Sequence, residues 1–141
     1  MIAKTKHTAL FTVWCIALLF VLPIATAVLE SRIDHVVLNL STYWKWYIFW
    51  GVGIRLFFRG VILTSAPQQM ELGFANMALG SMGILSVIND QWRLIAAIAG
   101  TIYFGLTDML RVIKKPGSRH ELVALLYNLL VFVGLVGYLI F

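Results

Sequence analysis

Residues 43–64 read Tyr43-Trp-Lys-Trp-Tyr-Ile-Phe-Trp-Gly-Val-Gly-Ile-Arg55-Leu-Phe-Phe-Arg59-Gly-Val-Ile-Leu-Thr64. A helix needs roughly 20 mainly apolar residues to cross the hydrocarbon core of a bilayer, and this stretch supplies them. It opens on a block of Trp and Tyr, the residues that gather at membrane–water interfaces. The rest of the chain agrees with a lipid setting. Of 141 residues, 61% are hydrophobic and 12% are charged, whereas a soluble domain is about half apolar and about a quarter charged. Too little polar surface remains to cover a soluble domain, and disorder is excluded by the same figures. The net charge of +5 does not point to nucleic acid, because no basic stretch is long enough or free enough of apolar flanks to form a groove or patch.

Working outward, five stretches read as spans: about 8–29, 43–64, 71–88, 92–113 and 121–141, the third of them short. Ser65-Ala66-Pro67-Gln68-Gln69, Asn89-Asp90-Gln91 and Lys114-Lys115-Pro116-Gly117-Ser118 punctuate them. Gaps this short force antiparallel neighbours. The first stretch has a rival reading as a cleaved signal peptide, with Lys4 and Lys6 ahead of it and Ala25-Thr26-Ala27 as the cleavage site. Its apolar run from Ala9 to Leu29 is longer than a usual signal core, so a retained helix kinked at Pro23 is the expectation. Between the first two spans, Ile33, Val36, Val37 and Leu40 share one helical face, which predicts a short interfacial helix over about 30–42.

Basic residues in short loops set the orientation. With the N-terminus cytoplasmic, Lys4, Lys6, Arg111, Lys114, Lys115 and Arg119 lie inside, against Arg32, Lys45 and Arg93 outside. Tyr43, Trp44, Trp46, Tyr47, Trp50 and Trp92 then form the outer aromatic belt. The fold class is an all-α, polytopic transmembrane helix bundle of about five spans in a single domain, N-terminus in.

Arg55 and Arg59, the remaining two basic residues, fall within the second span. Four residues apart, they share one face of a helix. An arginine at mid-bilayer costs about 2.5–3.5 kcal/mol on insertion scales. Arg59 can relieve this by snorkelling to the inner surface, but Arg55 needs a partner. Glu71, Asp108 and Glu121 lie in the same inner half, with Asn76, Tyr103 and Asn128 a turn or two deeper. The expected site is therefore an intramembrane polar network of Arg55, Arg59, Glu71, Asn76, Asp108, Glu121 and Asn128. It has two readings: a clamp that joins helices, or a site that binds a small ligand. Glu71 and Glu121 also suit helix N-termini on their own account.

Small residues predict where helices touch. Gly73, Asn76, Gly80 and Gly83 form one stripe on the third helix, and Ala97, Thr101, Gly105 and Asp108 form another on the fourth. Gly51 and Gly53 mark a bend or a further close contact. The single cysteine, Cys15, excludes an internal disulfide and reads as a small buried hydrophobe. His7, His35 and His120 are far apart and none lies within a span, so neither a metal site nor a haem is expected, and no cofactor is expected. No nucleophile and base fall within reach of each other, which argues against an enzyme.

Three stretches beyond the first helix carry a resemblance. Glu71-Leu-Gly-Phe-Ala-Asn-Met-Ala-Leu-Gly-Ser-Met-Gly-Ile-Leu-Ser86, with Lys45-Trp-Tyr-Ile-Phe-Trp-Gly-Val-Gly-Ile-Arg55 and His120-Glu121-Leu-Val-Ala-Leu-Leu-Tyr-Asn128, resembles a family of small bacterial integral membrane proteins of unknown function. The resemblance implies a multi-span helical protein of a bacterial inner membrane. It marks Arg55, Glu71, Asn76 and Glu121 as motif positions without giving them a role, and does not mark Arg59 or Asn128 as such.

The expectation for function is a non-enzymatic integral membrane protein in a lipid bilayer, whose inner-half polar network is structural or supports a partner or small ligand. The alternative is a homo-oligomeric transporter or channel for an anion or small solute, with Arg55 offering its charge in a pore. The topology is tested by a reporter fused after Lys115. A cytoplasmic signal is expected there, and a periplasmic one inverts the map.

Overall fold

The computed structural model describes the backbone of residues 2–35 and 37–141, and the side chains of 9–35 and 37–141. The side chains of Lys4, Lys6 and His7, and the whole of Val36, lie outside the described residues. Among the described residues the fold comprises five long helices and a short 3-10 turn at Pro67–Gln69, with no strand. Helix α1 covers residues 2–33, α2 covers Leu40–Thr64, α3 covers Met70–Leu85, α4 covers Asp90–Lys114 and α5 covers Arg119–Ile140.

Four of these are long and apolar enough to cross a membrane: Ala9–Ile33 within α1, then α2, α4 and α5. The third predicted span is the exception. With 16 residues, α3 is about 24 Å long at 1.5 Å per residue, short of the roughly 30 Å hydrocarbon thickness. The predicted interfacial helix over 30–42 is also corrected. Helix α1 runs on to Ile33, His35 takes φ 52°, and α2 starts at Leu40 behind Asn39. The Asn39 side chain accepts from the Thr42 backbone N–H at 2.8 Å. A left-handed residue and an N-cap within five positions leave no room for a separate helix, and Ile33, Val37 and Leu40 are exposed.

Helices α1 and α2 each contain a π-helical turn, at Ala17–Val21 and Phe49–Ile54. The first has a cause in Pro23, whose ring would clash in a regular helix with the carbonyl of Leu19, inside that turn. The second contains Gly51 and Gly53, the predicted bend. The two π turns pack against each other. They form the crossing point of α1 and α2.

The α2–α3 hairpin is the tightest contact in the bundle, and glycines make it so. A Cβ on Gly53 would lie 2.8 Å from the Gly83 carbonyl carbon, and one on Gly80 would lie 2.7 Å from the Phe57 Cα. A Cβ on Gly60 would meet the Gly73 carbonyl oxygen at 2.6 Å. The predicted stripe Gly73, Asn76, Gly80, Gly83 is the buried face of α3, and it faces the backbone of α2. On α4 the buried face is Arg93, Ala96, Ala97, Gly100, Phe104 and Asp108, with Thr101 and Gly105 at its edge.

At one end of the bundle, aromatic residues and paired charges close the core. The Tyr47 hydroxyl donates to the Leu130 carbonyl at 3.2 Å, and Trp44 lies between Tyr47 and Tyr138. Glu30 accepts from Lys45 and from the Trp46 indole, and Arg93 donates to Asp90 and to Ser41. Much of the predicted belt thus turns inward to join α1, α2 and α5. Below it, Ile48, Val52, Leu56, Phe104, Val131 and Leu135 are fully buried.

The glycine seam makes a specific demand. Gly80→Ala and Gly83→Ala are each expected to destabilise by about 1–3 kcal/mol, because backbone cannot yield to the added methyl. Gly137→Ala, where nothing lies within 4 Å of the new Cβ, is expected to be neutral or to stabilise by about 0.5–1 kcal/mol. Unfolding titrations of the three variants in detergent micelles decide it. Equal losses at all three positions would remove the seam as the cause.

Candidate functional site: an arginine-lined cleft

Below the π turns, α1 and α2 diverge. The gap between them is a cleft of about 390 Å³, closed behind by α4 and α5. Among the described residues, its lining holds three arginines, Arg55, Arg59 and Arg111, together with His120, and no carboxylate. The remaining lining is apolar, including Phe11, Trp14, Leu18, Phe58 and Ile62, with Cys15 among them. The His120 ring lies on Phe11 with centroids 4.2 Å apart, so α5 and α1 meet at the cleft's loop-side edge.

Arg55 has the most elaborate seat. Its Nη2 donates to Asn128 Oδ1 at 2.5 Å. Its guanidinium carbon lies 3.8 Å from the Tyr127 ring centroid and 5.3 Å from that of Phe104. Cation–π contacts of this kind contribute up to about 2 kcal/mol when desolvated. The Nη1 is buried and has no hydrogen-bond partner among the described residues. Arg55 is thus held on two aromatic faces and one neutral amide.

The expected network is brought together only in part. Asn128 is the direct partner of Arg55. Asp108, 6% exposed, lies beside the Asn128 amide and within electrostatic reach of Arg111 and Arg55, but neither of its oxygens holds a hydrogen bond of good geometry. The ion pairs foreseen between the two arginines and Glu71 or Asp108 are not formed. Asn128 stands in the place where Asp108 was expected to reach Arg55, and Glu71 is exposed in the first turn of α3. Asn76 is fully buried in the α2–α3 seam, with neither amide atom hydrogen-bonded, and does not line the cleft. Glu121 is engaged locally, where its carboxylate accepts from the Gly117 N–H at 2.7 Å while Ser118 caps the helix. That is the reciprocal use of a carboxylate at a helix start.

Arg59 and Arg111 are within electrostatic reach of each other. Neither forms an ion pair, and Arg111 Nη1 is buried without a partner among the described residues. Two carboxylates lie nearby, Asp108 and Glu121, both within electrostatic reach of Arg111, so the three arginines leave a formal excess of one positive charge. A second cavity of about 510 Å³ at the α4–α5 loop, lined by Arg111, Lys114, Lys115, Pro116, Gly117 and Glu121, shares Arg111 with the cleft.

Sequence reading misses Tyr127 and Phe104 as the seat of Arg55, and takes Arg111 for a topology marker. A signal is present, since Phe104, Asp108 and Arg111 are spaced four and three apart and share one face of α4. Among the described residues, no group of three or more His, Cys, Asp or Glu side chains gathers as a metal ion requires. Comparison with family models, with curated proteins and with solved structures returns no match.

The Arg55 seat is open to a double-mutant cycle. Asn128→Leu leaves the buried guanidinium without its acceptor and is expected to destabilise by about 1.5–3 kcal/mol. In an Arg55→Met background the same change is expected to be nearly neutral. Glu71→Gln, at an exposed position, is expected to stay within about 0.5 kcal/mol of the parent. Additive effects of Arg55→Met and Asn128→Leu, or a large loss at Glu71, would overturn the assignment of Asn128 as the partner.

Proposed function

We propose that the chain is a multi-pass protein of a bacterial inner membrane that binds an anion in the cleft between α1 and α2. The observation that carries this reading is the cleft lining: three arginines and no carboxylate. Like charges gathered in a low-dielectric surrounding repel one another strongly. An anion bound among them relieves that repulsion and accepts their N–H groups in charge-assisted hydrogen bonds. In this reading Arg55 is the fixed cation at the deep end, and Arg59 and Arg111 close on the ligand from α2 and α4.

A purely structural network accounts for less. The Arg55–Asn128 hydrogen bond joins α2 to α5 and suits a clamp. Arg59 and Arg111 hold no ion pair, so a clamp leaves them without a role. Transport by an assembly of copies, the alternative from the sequence, has weaker support in the single chain, where the fully buried Ile48, Val52, Val131 and Leu135 fill the aromatic half. Such a cleft is one-ended, which suits binding.

Trp14 lies in the lining and reports occupancy. Its emission is obtained as the difference between the parent and Trp14→Phe, in neutral detergent at constant ionic strength. Titration with inorganic phosphate or dodecyl phosphate is expected to give a saturable change with at least one of them. Losing one charge-assisted contact costs about 1.5–3 kcal/mol, so Arg59→Gln and Arg111→Gln are each expected to raise the apparent Kd about tenfold or more. A response that is absent with both probes, or identical in all variants, would sink the reading.

A further inference from the structure

The cleft is amphiphilic along its length, and its apolar part opens sideways. Nine of its thirteen lining residues are neutral and apolar or, in Cys15, close to it, whereas Arg59, Arg111 and His120 gather toward the loop side. The lips of the gap are formed by Trp14, Phe58 and Ile62, which are 56%, 60% and 71% exposed on helices long enough to span a membrane. Exposed apolar groups on such helices face acyl chains, so a molecule already in the bilayer reaches the cleft without crossing water.

The depth of the cations is also informative. Arg59 is five residues from the end of α2, about 8 Å along the helix axis, and Arg111 is three residues from the end of α4, about 5 Å. Long cationic side chains at that depth reach the headgroup layer. The volume of about 390 Å³ sits at the lower end of the range for small-molecule sites, roughly 300–1,000 Å³, and the adjoining basic cavity gives a headgroup room to extend toward the aqueous side. A guanidinium presents its donors in a planar fork that matches a phosphate in two places at once, and two such forks face the cleft with no carboxylate in its described lining, Glu121 lining only the adjoining cavity. A free anion would make no use of the apolar two-thirds of the lining.

Resting on the anion-binding reading above, we propose that the occupant is a membrane lipid with a net-anionic phosphate headgroup, its phosphate on Arg59 and Arg111 and one acyl chain along Trp14, Leu18, Ile54 and Phe58. Access is lateral, from the leaflet on the side of the α4–α5 loop. Arg55, held by Asn128 and Tyr127, sets the deep limit of the polar end.

The experiment follows the thermal unfolding of the full-length protein in a neutral maltoside detergent. The probes are dioleoyl phosphatidate, dioleoyl phosphatidylcholine and inorganic phosphate. Ligand that binds only the folded state raises the midpoint in proportion to its occupancy. Phosphatidate is expected to raise it at a concentration about tenfold or more below that needed for inorganic phosphate, with no matching shift from phosphatidylcholine. Arg59→Gln and Arg111→Gln are expected to weaken the response about tenfold each, Arg59→Lys less so, and Lys45→Gln at the aromatic end not at all. As a measurement that needs no arginine variant, phosphatidate with brominated acyl chains is expected to quench the Trp14 share of the emission more than brominated phosphatidylcholine does. If inorganic phosphate matches phosphatidate, the bilayer source fails and anion binding stands. If phosphatidylcholine matches phosphatidate, or no probe shifts the midpoint, the lipid and the anion-binding readings fail together.

Discussion

A guanidinium held within a bundle of helices long and apolar enough to cross a membrane is the constraint on which the lower half of this structure turns. Removing a charge from water without compensation is prohibitive, and Arg55 is compensated in an unusual way, by one amide oxygen and two ring faces. Those groups come from α4 and α5, so the requirement to seat Arg55 fixes the rotation of α2 about its axis. With that rotation set, Gly53, Gly60 and the Phe57 backbone face α3, and Arg59, one turn along, is delivered to the cleft. The glycine seam and the arginine cleft follow from one orientation of one helix.

The second determinant is the pair of π turns. A helix that spans a membrane packs along its whole length unless something redirects it. Pro23 in α1 and the Gly51–Gly53 pair in α2 loosen both helices at the same level, and the loosened turns touch. Beyond that crossing, α1 keeps its contact with α5 through Phe11 and His120 while it draws away from α2. The cleft is the space so created. π turns inside α-helices are frequent at functional sites because they displace side chains by one position without ending the helix.

Much of this is legible in the residues. Composition and apolar run length indicate the all-helical, membrane-type architecture, and the stripe Gly73, Asn76, Gly80, Gly83 identifies the buried face of α3. Pro23 and Gly51–Gly53 mark both departures from regular helix. The site is legible by type more than by pairing. That Arg55 requires a partner follows from the energy of burial, and Asn128 is among the candidates, but a ranking by charge favours Glu71 and Asp108. Polar partners inside a bundle are chosen by helix rotation and side-chain reach, which one-dimensional spacing constrains weakly. Aromatic faces are harder still, since Tyr127 and Phe104 read as ordinary core at helical spacing. The short helix α3 reads as a span despite its length, because apolar character alone does not register where Gln69 and Ser86 end the helix.

The two ends of the bundle make the last point by contrast. At the aromatic end, Lys45 finds Glu30 and Arg93 finds Asp90, so each cation near the core there has an acidic neighbour. At the other end Glu121 is present but spends its carboxylate on the Gly117 N–H, and Glu71 points into the surroundings. Carboxylates are therefore present at both ends, but the aromatic end closes them into ion pairs, whereas Asp108 and Glu121 lie within electrostatic reach of Arg111 without pairing with it. A structural requirement alone would favour neutralising Arg59 and Arg111 as well, since unpaired charge at partial burial is a loss in every state of the protein. A site that must accept an anion has the opposite requirement, because a resident carboxylate would compete with the ligand for the same guanidinium forks. The distribution of the acids, more than the presence of the arginines, is what favours the proposed binding cleft over a clamp.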